Sequence, residues 1–165
     1  MTLERRQQID EEKRISIDET LKKSTLFLQD NLTNLQIQNY IYSPAEAIEE
    51  LGLDAKLIDQ LVEDYVSQIL KSIALFSHHL EELRTSLKTS KELDYTPLRE
   101  LAHKNLGVAR NLRIEDGIKV LDELMKKNDL DYIILCVEAL SACAIRLKPK
   151  CAYETITLIN IKNSL

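Results

Sequence analysis

TPLRELAHKNLGVARNLRI, residues 96–114, is the stretch on which the reading of this chain turns. Thr96-Pro97 is a helix-start signal, a capping residue followed by a proline that fits the first turn, and no breaker interrupts the pattern until the helix ends near Ile114. A helix advances about 100° per residue, so the positions three, four, seven and eleven from His103 share its side. Those are Arg99, Glu100, Leu106, Gly107, Arg110 and Ile114. The other side carries Leu98, Leu101, Ala102, Asn105, Val108, Ala109 and Leu112, apolar except for Asn105 and wide enough to face a core. His103 is therefore expected to point outward. Gly107, one turn on, costs roughly 1 kcal/mol relative to Ala in a helix interior, and its expected return is open space beside the imidazole. Arg99, Lys104, Arg110 and Arg113 against Glu100 make this helix positive on a chain of net charge −5. An exposed imidazole beside a gap, among cations, suits a group that takes a phosphoryl from an acidic partner site.

The helices around it follow from the same signals. Residues 1–39 are polar, lack Gly and Pro and read as helix with a break, and Leu21, Thr25, Leu28, Leu32 and Leu35 recur at heptad spacing. That short seam has two readings: a helix packed on its own domain, or an arm that joins two copies. Ser43-Pro44-Ala45-Glu46 reads as a capping box that opens a short helix, which Gly52 ends. Asp54 then starts the longest element, with apolar residues at helical spacing from Leu57 to Leu87. His78 and His79 lie on it and point about 100° apart, a poor metal pair and more simply surface or boundary residues. Beyond Ile114, Glu115-Asp116 opens a helix through Met125, Lys126–Asp129 forms a turn, and a last clear helix runs from Leu130 to Leu147. Residues 150–165 are rich in β-branched side chains but have no partner strand, so a short helix or an irregular packed tail is expected.

Composition narrows the class. The chain has 165 residues, 44% of them apolar, with only three Gly and three Pro, which fits one helical domain with a core of Leu, Ile and Val. The acidic balance and the lack of a basic surface argue against nucleic-acid binding. The charged N-terminus and the absence of any apolar run longer than Ile133–Val137 argue against a signal peptide or membrane span. Cys136, Cys143 and Cys151 form no CxxC, and the first two, seven apart on one helix, cannot bridge each other. Reduced packing cysteines in a cytoplasmic protein are expected. The expected architecture is all-α: residues 1–42 an N-terminal helical extension, 43–148 an antiparallel four-helix bundle, and 149–165 a short C-terminal tail.

LAHKNLGVARNLRI, after a long amphipathic helix and before a hairpin of two more, resembles the histidine-containing phosphotransfer (HPt) domains of bacterial phosphorelays. Their motif sets a phosphorylatable His on a bundle helix, continued as HxLKG, with a small residue and an Asn-Leu or similar pair beyond. His103, Gly107, Ala109, Asn111 and Leu112 fall at matching offsets, and SPAEAIEELGLDAKLIDQLVEDYVSQI, residues 43–69, is similar to the entry of such modules. The resemblance spans residues 44–148. It implies that His103 accepts or donates a phosphoryl group, with Arg99, Lys104, Leu106, Gly107, Arg110 and Asn111 supporting it or docking the partner. The partner implied is a response-regulator receiver domain or a hybrid histidine kinase. The receiver would bring the Mg²⁺, so the chain needs no cofactor of its own and is a phosphoryl carrier, not a stand-alone enzyme.

The sequence departs from that pattern at one place. Leu-Lys at the second and third positions after the histidine is here Asn105-Leu106. The usual lysine is missing, and Leu106 is expected beside the imidazole, with Asn105 towards the core. Arg110 is nearly in line with His103, two turns away, and a guanidinium suits phosphate. Two other readings follow: a degenerate bundle that binds a signalling partner without carrying phosphate, and an unrelated helical adaptor or dimerising module.

Overall fold

The computed structural model describes residues 2–165. The described residues form seven α-helices, α1 (Leu3–Asp30), α2 (Ala45–Leu51), α3 (Ala55–Lys88), α4 (Thr96–Leu112), α5 (Glu115–Lys126), α6 (Leu130–Leu147) and α7 (Pro149–Asn163), with a 3₁₀ turn at Thr33–Leu35. There is no strand among the described residues, and none of their helices is long and apolar enough to cross a membrane.

Local chemistry sets the helix ends. Asp54 caps α3 by accepting from the Leu57 N–H at 2.8 Å, and Asp129 caps α6 through Asp131 and Tyr132. Gly52 ends α2 in the left-handed region at φ 65°, where its lack of a Cβ removes the steric cost. The expected box at Ser43 is displaced by one residue. Pro44 takes the cap position, and Ser43 reaches the Ala45 N–H only at 3.5 Å.

Packing then arranges the helices. α4 and α5 pack on each other, α5 on α6, α6 back on α3, and α3 on α4. This closed ring surrounds a core in which Phe76, Ile58, Ile69, Leu98, Leu121, Leu124, Ile133 and Leu140 are fully buried. α1 lies against α6, and α7 lies against α3. The seam of α1 is used within the fold: Leu28 is fully buried, and Leu32 leaves the helix in the left-handed region at φ 57° yet is buried too. Residues 150–163, with their β-branched run, are not an irregular tail but part of a 15-residue helix. It is held by burial of Ala152 and Thr155 and by a 2.8 Å hydroxyl bond between Ser67 and Thr155, so packing on α3 outweighs local propensity. Cys136, Cys143 and Cys151 are free thiols, and burial pushes Cys136 up to about 12 and Cys143 well above the usual range.

Candidate functional site

α4 is fixed at both ends. Asp94 accepts from the Thr96 N–H at 3.0 Å, and Pro97 occupies the first turn. Hydrogen bonding by the Thr96 side chain, and then by its N–H, holds the Asp94 carboxyl below the usual range. At the far end Arg113 turns left-handed at φ 58°, and Ile114 donates back to the Ala109 carbonyl at 3.0 Å, closing the last turn. Between these ends Leu98, Ala102, Asn105, Leu106, Ala109 and Leu112 are buried. Asn105 donates to the Leu101 carbonyl at 3.0 Å and to Ser72 on α3 at 3.4 Å, so the one polar residue of the inner face is satisfied.

His103 stands exposed in mid-helix, as do Lys104, Gly107, Arg110 and Asn111. Among the described residues, the side chains of His103, Lys104, Arg110 and Asn111 make no hydrogen bond or ion pair. A Cβ built on Gly107 meets nothing within 4 Å, so the surface beside the imidazole is open.

Two of the expected neighbours do something else. Leu106 is not an exposed contact beside His103: it is only 3% exposed and belongs to the core, while Val108, expected inside, is 42% exposed. The reason is that α4 packs on both α3 and α5, so its buried arc, centred on Ala102 and Ala109, is wide enough to take in Leu106. Arg99 is half-buried and directed to the α5–α6 turn: it donates to the Lys127 carbonyl at 3.1 Å and to the Asn128 side chain, and stacks on Tyr95 at 4.9 Å. Its guanidinium therefore anchors the base of the helix. Of the two other histidines, His78 pairs with Glu82 at 2.8 Å, while His79 turns a buried, unpartnered Nδ1 inward. No group of three His, Cys, Asp or Glu side chains among the described residues is arranged to hold a metal ion.

A second polar assembly, at the α4–α5 corner, is visible only in three dimensions. Asp116 is 3% exposed and faces Arg146 of α6 at 3.5 Å, and Arg146 also donates to the carbonyls of Ile37 and Gln38 at 2.6 Å. Burial raises the Asp116 carboxyl above its ordinary range, against the opposing pull of the Gly117 N–H and of Arg146. The Tyr40 hydroxyl accepts from the Glu115 N–H at 3.1 Å and donates to the Arg113 carbonyl at 3.3 Å; Tyr42 donates to the Leu112 carbonyl at 2.7 Å. Burial raises Tyr40 to about 12, so both phenols remain protonated donors over the physiological range. Residues 37–44 thus form a strap across the C-terminal end of the His103 helix. The one sequence signal for this assembly is Arg146, which shares the long apolar run of α6 with Glu138 alone among charged residues after the first turn.

Compared with known proteins, the chain matches no family profile, no curated protein and no solved structure.

Proposed function

We propose that the chain is a histidine phosphotransfer protein of bacterial two-component signalling, working in the cytoplasm with a response-regulator receiver domain or a hybrid histidine kinase. The closed ring of α3, α4, α5 and α6 then serves as an antiparallel four-helix HPt-like bundle. The observation that carries this reading is the free, exposed His103 in mid-helix, with open space over Gly107 and uncommitted Lys104 and Arg110 on the same helix. In the transfer, a neutral imidazole nitrogen of His103 attacks the phosphorus of the receiver's aspartyl phosphate. The new N–P bond forms as the P–O bond to the aspartate breaks, and the carboxylate leaves with the electron pair. The other ring nitrogen keeps its proton, and the reverse step returns the phosphoryl group. The receiver supplies the Mg²⁺ and the electrostatics of that step, so this chain contributes the nucleophile, its position and a surface that admits the partner.

A second reading, a degenerate bundle that binds the partner without carrying phosphate, is favoured by Leu106. A buried leucine stands where the family places a lysine, and no cation takes that position. One experiment separates the two. The protein is incubated with a panel of phosphorylated receiver domains and assayed for an acid-labile, base-stable phosphoryl group. Transfer is expected to the wild type and to be abolished in His103→Gln, whose exposed site leaves the melting temperature unchanged. Binding without transfer sinks the carrier reading in favour of the second.

A further inference from the structure

A cavity of about 740 Å³ opens beneath the strap, between the start of α3, the start of α5 and the end of α6. Its size falls within the roughly 300–1,000 Å³ of small-molecule sites. Tyr42, Pro44, Ala55 and Leu147 give it an accessible apolar wall, and Ile41 stands on its rim. Ile41 is 87% exposed, a large aliphatic group held in water beside an apolar opening.

The charges of the lining do not cancel. Asp116 is paired with Arg146 at 3.5 Å, and Asp59 is paired with Lys148. Lys56, in the first turn of α3, also lines the cavity and makes no ion pair among the described residues. Both acids are therefore answered and one cation is left over, at a site that also carries apolar lining. An inorganic anion would leave that wall wet, and a neutral apolar molecule would leave the cation unused.

We propose that this cavity binds a small organic carboxylate with an aromatic or aliphatic body. The body lies against Tyr42, Ala55 and Leu147, the carboxylate meets the Lys56 ammonium, and Ile41 covers the body from the rim. Because Tyr40 and Tyr42 tie the strap to the last turn of α4, the bound molecule rests on the same segment that braces the His103 helix. The site does not depend on the phosphotransfer reading and stands or falls by itself.

The test is an amide NMR titration of the isotopically labelled full chain with hydrocinnamate, with its neutral counterpart hydrocinnamyl alcohol, and with propionate, which has no ring. Hydrocinnamate is expected to give saturable shifts confined to the strap, the first turns of α3 and α5 and the end of α6, with a Kd of about 1 mM or tighter. The alcohol and propionate should each bind at least ~10-fold more weakly. Lys56→Glu, at an exposed position that leaves the fold intact, should remove the preference for acid over alcohol, and Ile41→Ser should weaken both ring-bearing probes. The proposal is overturned by absence of saturation with hydrocinnamate, by equal binding of acid and alcohol, or by a preference that survives Lys56→Glu.

Discussion

Gly107 and Gly117 lie ten positions apart and face opposite conditions. Around Gly107 an added Cβ would meet nothing within 4 Å; at Gly117 it would collide with the Tyr65 hydroxyl. The first belongs to the open surface of His103, where exposed side chains keep their donors and charges unspent. The second belongs to the corner where Asp116 and Arg146 pair with each other and the strap tyrosines bond to backbone. A carrier of reactive groups for a partner's active site needs a nucleophile on a rigid rod and little else, whereas the rod itself needs a corner that cannot slip. The polar chemistry of this chain is accordingly concentrated where nothing is proposed to react.

Substitutions can break that contrast, and the largest effect is expected at the corner. Arg146→Ala removes the partner of a buried carboxylate and the donors to two carbonyls, and should cost about 3–5 kcal/mol in urea unfolding, while the proposed transfer to His103 should persist in the folded fraction. The same pair carries a pH signature. Asp116 holds its proton more tightly folded than unfolded, so its own contribution to stability is full below its ordinary value of 3.8 and is lost as pH rises through the raised folded value. Asp116→Asn deletes that term, and its stability relative to wild type should therefore climb as pH is raised from acid to neutral in a series of urea melts. A relative stability that instead falls over that range would mean that Arg146, and not burial, dominates the carboxyl.

Gly117→Ala should destabilise by roughly 1–3 kcal/mol, because the buried Tyr65 ring must move to admit the methyl group. Gly107→Ala, the same change on the open face, should stabilise by about 0.5–1 kcal/mol, as helix propensity improves with no clash. Thermal denaturation of the two variants side by side is the sharpest form of the comparison: like signs would abolish the distinction between the regions. If Gly107→Ala also slows phosphoryl transfer while raising the melting temperature, the gap beside His103 serves the partner's approach.

Much of this architecture is legible in one dimension. Gly52, Asp54, Pro97, the acidic start at Glu115 and the turn before Leu130 mark the ends of α2 to α6 within a residue or two, because caps and breakers act locally. Exposure of His103 and burial of Asn105 follow from helical spacing. Leu106 and Val108 do not, since both sit at the edges of the buried arc and only the positions of α3 and α5 decide which edge is covered. The helicity of α7 is likewise supplied by α3 and not by its own Thr and Ile residues. The corner assembly joins residues 37–42, 116 and 146, too far apart in sequence for any spacing rule to connect, and Asp116 reads on its own as an ordinary first-turn acid.

The tyrosine strap also determines how portable the histidine helix is. The last carbonyls of α4, at Leu112 and Arg113, are satisfied by phenols that arrive from the connection between α1 and α2. A graft that transplanted only α3 to α6 into another protein would carry those carbonyls uncapped and leave Arg146 reaching for the absent Ile37 and Gln38. The smallest transferable cassette is thus set by hydrogen-bond closure, and it begins upstream of Ile37, well before the first helix that His103's own neighbours would suggest.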